Sequence, residues 1–380
     1  MKTYLLEIET LTPVGIGSGD KLSPYADVII DEANKQVHYI NHEAVKNRLA
    51  AKPELIDDYV NGITGGMDNN RSHFKIKNFI EQRLGLAPQA YIRKSVSGNV
   101  KGAKELYTII KNAGIHPYFP GSSIKGAIKT PLLYNWLIGD HDPKGKESWL
   151  SRYLRSIKER SDTVELEKEL SDEMEKFQPA ISDSSLLPVD GVKIITISRL
   201  HLKEGKTTIP QTWETISPKQ KASFSLTVKP KEDSADLSWN TIGKSINRFS
   251  RHSNERELEL LESMGDKIND NQYNKLFDFY EDMNAKIEQA EAEGNKVAYL
   301  KLGSSKGYFF NSVGLAVYDA DQGDKKLFLS FLKQNGFGKI YNKERKRMEP
   351  YKLNPEEFPL TRNIDVATYC PIGWVKITNV

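Results

Sequence analysis

The chain has 380 residues, 38% hydrophobic and 28% charged, which allows two packed lobes and is too long for one simple core. A single cysteine, Cys370, excludes an internal disulfide and a thiolate metal cluster, as expected for a reducing cytoplasm. The net charge of +3 excludes a uniformly basic surface, and no apolar run reaches the roughly 18 residues that a spanning helix needs.

In chain order, Tyr4–Leu11 alternates as a first strand and carries an acid early, unlike a signal peptide. It ends in the breaker cluster Thr12-Pro13-Val14-Gly15-Ile16-Gly17-Ser18-Gly19-Asp20. Residues 26–31 and 36–40 form a predicted hairpin, and Asn41 a predicted N-cap for a helix to about Ala50. A short helix is expected over 54–60, a loop over 62–70, and a helix over 75–84. Pro120-Gly121-Ser122-Ser123 forms a turn leading into a helix over 124–138, with Ser122 or Ser123 as its cap. Pro131 is expected to kink it. Strands are predicted over 192–198, 222–228, 297–302 and 373–378, a second amphipathic helix over 328–334, and an almost wholly helical block over 239–294.

Strands at both ends and in the middle, separated by helical blocks, give an α+β class rather than a doubly wound sheet. The expected organisation is a core of residues 1–140, 178–235 and 297–380. It is interrupted by a basic loop-rich insertion at 62–115, a charged helical insertion at 141–177 and a helical lobe at 239–295, whose surface is expected to meet other proteins.

Charge is segregated along this chain. Between Arg71 and Lys104 eight basic residues face the single acid Glu81, and a second basic excess runs from Lys339 to Lys352. Such runs suit a polyanion groove or an ordinary solvated face. Three segments combine glycine, serine and lysine: Gly15, Gly17, Ser18, Gly19 and Lys21; Gly121, Ser122, Ser123, Lys125, Gly126 and Lys129; and Gly303, Ser304, Lys306 and Gly307. A helix opening after Pro120-Gly121 offers unpaired N–H groups, and Lys125 and Lys129 share one helix face, a pattern suited to phosphate. The G-x-x-x-x-G-K-[ST] register is absent, which disfavours nucleotide hydrolysis, and the first glycine segment leads to a hairpin rather than a dinucleotide-binding helix.

The seven histidines form no metal spacing, so no metal and no cofactor are expected. His73 among Arg71, Lys75 and Lys77 is the one arrangement suited to a metal-free ribonuclease; Asp20 and Asp183 are lone loop acids. Tyr91, Tyr107, Tyr118 and Phe119 lie near basic or glycine-rich segments and are candidates for base stacking.

The strand ending Leu11-Thr12-Pro13-Val14, the segment Pro120-Gly121-Ser122-Ser123-Ile124-Lys125-Gly126-Ala127-Ile128-Lys129-Thr130, the late loop at Gly303–Gly307 and the closing Pro371-Ile372-Gly373-Trp374-Val375-Lys376 together resemble the RAMP subunits of type III CRISPR effectors. The resemblance spans Leu11 to Lys376 and is nearest to the subunit that caps the guide RNA (crRNA) 3′ end in the type III-A (Csm) complex. Gly15 departs from the pattern, standing where a bulkier residue, often His, is usual. The resemblance implies an RRM- or ferredoxin-like RAMP (Cas7-like) core with large helical insertions, whose three glycine-rich segments contact RNA phosphates and riboses. It further implies a non-catalytic subunit serving crRNA maturation, assembly and antiviral defence. The implied partners are crRNA, a backbone RAMP subunit, a small subunit and host nucleases that trim the guide. The alternative is a RAMP-type endoribonuclease that processes crRNA precursors through His73.

Overall fold

The computed structural model describes residues 2–68, 74–100, 102–139, 148–159, 168, 180–228, 238–342 and 344–380. Two five-stranded sheets organise the chain. In the first, the N-terminal strand Lys2–Thr10 lies between the C-terminal strand Trp374–Asn379 and Lys221–Val228, with Val297–Lys301 and Ala180–Ile181 at the edges. All of its pairings are antiparallel. Alternation decides its two faces. Leu6, Ile8, Phe224, Leu226, Val375 and Ile377 point into the core, while Leu5 is 56% exposed on the other face.

Helices Gly121–Ile138 and Trp239–Met264 cover the buried face through Ile124, Ile128, Ile242 and Ile246. Helix Trp239–Met264 starts at Ser238, whose side chain accepts from the Thr241 N–H. Its many buried residues make it part of this core, and helix Asp270–Ala292 pairs with it from outside. The strand order 374–379, 2–10, 221–228, 180–181 with two helices on one face is the ferredoxin-like arrangement, so the α+β class and the RRM-like core hold.

The second sheet runs Thr361–Asp365, Val192–His201, Lys206–Ile216, Leu106–Ile109, Gly17–Leu22. A smaller three-stranded sheet, Val28–Asp31, Gln36–Ile40 and Ile92–Ser97, packs with helix His42–Ala50 around Ile40, Val45, Ile80 and Tyr91. Asn41 caps that helix as expected, through the Ala44 N–H.

Three local readings are corrected. The loop expected from Gly62 is helix as far as Asp68, because Ile56–Asp68 continues through its glycines. Phe74 lies where a Cβ on Gly62 would stand, and Tyr25 does the same at Gly66, so aromatic packing offsets poor helix propensity. The stretch after Gly85 contains strand Ile92–Ser97. The helix expected over 124–138 does reach Ile138, running through Pro131, which is buried. Finally, the glycine-rich segment after the first strand is itself largely strand. Of the charged segment 141–177, the described part includes helix Trp149–Glu159, which buries Trp149, Tyr153 and Ile157.

Candidate nucleic-acid interface

The three glycine segments fold in three different ways. Val14 exchanges backbone hydrogen bonds with Ile216, which carries Gly15 and Ile16 inside. The chain then emerges as the edge strand Gly17–Leu22, exposing Gly17, Ser18, Gly19, Asp20 and Lys21. Lys21 Nζ stands 2.8 Å from Glu105 and 4.9 Å from the centre of the Tyr107 ring, which stacks on Trp213 at 4.7 Å. Clefts of about 820 and 740 Å³ flank this strand, one bounded by Lys21 and Tyr107, the other by Arg93, Lys94 and Lys111.

The third segment docks on the first. Ser304 donates its backbone N–H and its hydroxyl to the Gly15 carbonyl, at 2.8 and 3.0 Å. Gly303 has φ +86°, and a Cβ there would stand 2.4 Å from that same carbonyl oxygen. Gly15 is therefore the socket for the loop, and the surface above it is made by Ser304, Ser305, Lys306 and Gly307. Gly307 has the same φ, +86°, with nothing within 4 Å of its Cβ position. Gly303→Ala is thus expected to cost about 2 kcal/mol, from the left-handed strain and the contact together, and Gly307→Ala clearly less. Urea denaturation of the two variants checks this. Equal losses would show that the docking contact contributes nothing.

The second segment departs from expectation at its start. The helix begins at Gly121, so Ser122 and Ser123 lie in its first turn and neither caps it. Asp183, from the loop after strand Ala180–Ile181, accepts the Gly121 N–H at 2.7 Å instead. A Cβ on Gly121 would stand 2.4 Å from the Ile181 carbonyl oxygen, so this approach requires glycine. The positive end of the helix thus already carries one of the chain's own carboxylates. The lysines fit better. Lys125 and Lys129 share one half-exposed face, neither makes an ion pair among the described residues, and Gly126 between them is exposed, with open space where a Cβ would stand.

Beneath the third loop sits Lys301, 7% exposed. Its ammonium lies 4.3 Å from the centre of Phe310, 5.7 Å from Trp374 and 5.8 Å from Tyr280, and it donates to the Lys306 carbonyl at 3.3 Å. Burial pushes its pKa down to about 8, against the pull of Glu257. Burial also lowers the pKa of Lys306. Nothing local in the sequence marks Lys301, because its aromatic neighbours come from three separate segments.

Other candidates fall away on burial. Tyr91 is buried and donates to Glu81 at 2.7 Å, and Phe119 is wholly buried, so neither can stack on a base. Tyr107 and Tyr118 remain partly exposed. The open face of the first sheet has no aromatic platform at its centre, where Glu7 and Glu9 pair with Lys221 and Lys376. The candidate surface that stays exposed is therefore made by the loops and the Lys125–Lys129 face. His73 and Arg71 lie outside the described residues, and no cluster of metal-ligating side chains occurs among those described. Nor is any described helix long and apolar enough to cross a membrane.

Comparison with known proteins gives a consistent result. The sequence profile of the RAMP superfamily matches residues 7–310. The chain is 25% identical to the CRISPR system Cms protein Csm5 of Methanocaldococcus jannaschii, covering all of this chain and 89% of that protein. It is 26% identical to the protein of the same name from Streptococcus thermophilus, over 71% of this chain and 75% of that one. Its fold matches a chain of a cryo-EM Csm–crRNA–target RNA ternary complex of a type III-A CRISPR-Cas system, with a TM-score of 0.68, 18% identity and coverage of 99% and 100%. It also matches the crystal structure of T. onnurineus Csm5, with a TM-score of 0.58, 18% identity and coverage of 97% and 99%.

Proposed function

This chain belongs to the RAMP superfamily, and from that premise we propose that it is the RNA-binding subunit at the crRNA 3′ end of a type III-A CRISPR effector complex. It binds the guide's backbone, supports crRNA maturation and complex assembly, and so serves antiviral defence in the cytoplasm. Its partners are the guide, the backbone RAMP subunit and the small subunit, with host nucleases trimming the exposed end of the guide. Similarity to two proteins named Csm5, over the whole of this chain in one case and 71% of it in the other, and to a chain of a Csm–crRNA complex supports this assignment.

The observation that carries the RNA contact is the stripe of Lys125 and Lys129, without ion-pair partners among the described residues, on the helix that packs near the docked Gly303–Gly307 loop. Exposed Gly126 lets a sugar–phosphate backbone come close to the helix. Strand Gly17–Leu22 adds backbone groups at a sheet edge, with Lys21 tethered to Glu105 until an RNA phosphate competes for it. Chemistry on RNA is not part of this reading: the groups gathered here bind and orient.

The test is salt dependence. Each phosphate contact to a single strand contributes about 0.7 to the slope of log K against log salt. The double variant Lys125→Ala, Lys129→Ala should therefore flatten that slope by about 1.4 and weaken guide binding most at low salt. A parallel shift with an unchanged slope would remove these lysines from the interface. Guide or target cleavage by the purified chain, abolished by one substitution at His73, would replace this reading with the endoribonuclease.

A further inference from the structure

A cleft of about 430 Å³ opens between helix Gly121–Ile138 and the segments that follow the third glycine loop. Lys129, Tyr308, Asn311, Ser312, Asn335 and Phe337 line its accessible part. Its size lies within the roughly 300–1,000 Å³ of small-molecule sites. We propose that this cleft receives one unpaired nucleobase of the bound RNA, with Lys129 holding the adjoining phosphate. The proposal rests on the RNA-binding reading above and names what that surface does with a base.

Three features of the lining carry it. First, there is a rigid aromatic wall. Tyr308, Phe337 and Phe358 pack edge to face, with ring centres 5.2, 5.0 and 4.7 Å apart, and Phe337 is 36% exposed at the mouth. A ring braced by two others offers a stacking surface at little entropic cost, and stacking suits bases of any sequence.

Second, amide groups stand beside it. Asn335 donates its Nδ2 to the Phe331 carbonyl at 2.9 Å, which fixes the amide plane, while its carbonyl oxygen accepts no hydrogen bond among the described residues. Asn311 is exposed, and its side-chain amide makes no hydrogen bond among the described residues. Together they present donors and acceptors of the kind that read a base edge.

Third, the cleft is continuous with the cationic stripe, since Lys129 belongs to both, and Tyr308 directly follows Gly307 of the docked loop. A backbone running past Lys125 and Lys129 would bring its next base to this opening. An apolar peptide side chain would satisfy the rings and leave the amides and the ammonium without partners, so the lining favours a nucleotide.

The experiment uses the assembled effector complex, loaded with guides carrying 4-thiouridine at one position at a time. On irradiation, one guide position is expected to cross-link within residues 308–337 of this subunit. Asn311→Trp, which fills the opening, should cut that cross-link by about tenfold, a loss of about 1.4 kcal/mol in site occupancy. Phe337→Ala should cut it without steric filling. Guide content of the complex should be unchanged in both variants, and its thermal stability unchanged in Asn311→Trp. A guide retained in full but never cross-linked to this segment, or a cross-link indifferent to both substitutions, would overturn the nucleobase site and leave the backbone-binding reading intact. Absence of guide cross-links anywhere on this chain would overturn both.

Discussion

Replacing Glu214 by alanine is expected to remove about 3–5 kcal/mol of stability, a large share of what a domain of this kind possesses. Its side chain is wholly buried and accepts from the Tyr39 hydroxyl, from the Ile109 backbone N–H at 3.1 Å and from Lys111 at 2.5 Å, with Lys94 at 3.7 Å. Lys111 is itself 9% exposed, so losing the carboxylate strands an ammonium and a phenol without partners. The cluster also ties three separate pieces of chain: Tyr39 from the small sheet, Ile109 from the strand beside Gly17–Leu22, and Glu214 from the centre of the second sheet. Glu214→Ala should therefore loosen the edge strand that carries Ser18 and Lys21, and guide affinity should fall with stability. Glu214→Gln keeps acceptor capacity while losing the charge, and should recover part of the loss. Urea unfolding of the two variants decides the matter. If alanine and glutamine cost the same small amount, the carboxylate is not the centre of the network.

That cluster also shows what could and could not be read in the sequence. The α+β class and the first strand, the small hairpin, the Asn41 cap and the C-terminal strand were legible because each rests on a local signal, either alternation or a capping residue. The glycine segments stand out in the sequence, but their conformations depend on partners far away in it. Gly15 is buried because Ser304 docks on it, and the helix at Gly121 is capped by Asp183 rather than by its own serines. Gly17–Leu22 is a strand because Leu106–Ile109 lies alongside, although its composition suggests a loop. The residues that sequence reading missed altogether, Glu214 and Lys301, are ordinary charged residues within strand-forming runs. Only their tertiary neighbours distinguish them, and those neighbours come from several elements each.

Lys301 leads to the second large effect. Glu257 and Arg362 form a buried ion pair at 2.6 Å, each about one-twentieth exposed, and Lys301 lies within the field of both. The pocket thus holds two cations and one anion. Removing the anion by Glu257→Ala leaves Arg362 and Lys301 together, and the expected loss is again about 3–5 kcal/mol. The two sites should not behave additively. Lys301→Met removes one cation from the same pocket and fills its aromatic surroundings, so it should recover part of the loss in the Glu257→Ala background. In the otherwise native chain Lys301→Met should cost little stability, since an apolar side chain suits Phe310, Trp374 and Tyr280.

Its cost should appear in function instead. The Lys306 carbonyl loses its donor, and the Ser304–Gly307 surface its fixed shape. Guide affinity is expected to fall by about tenfold, or about 1.4 kcal/mol, with the melting temperature unchanged. The pH dependence gives an independent sign. Burial holds the folded-state pKa of Lys301 near 8, below its ordinary value of 10.5, so between those values the unfolded chain binds a proton that the folded chain does not. Stability of the native chain relative to Lys301→Met should accordingly rise as pH climbs through this window and be level below it. A difference that stays flat from pH 7 to about 10 would mean that Lys301 titrates as it does in water, and is not held in the aromatic cage.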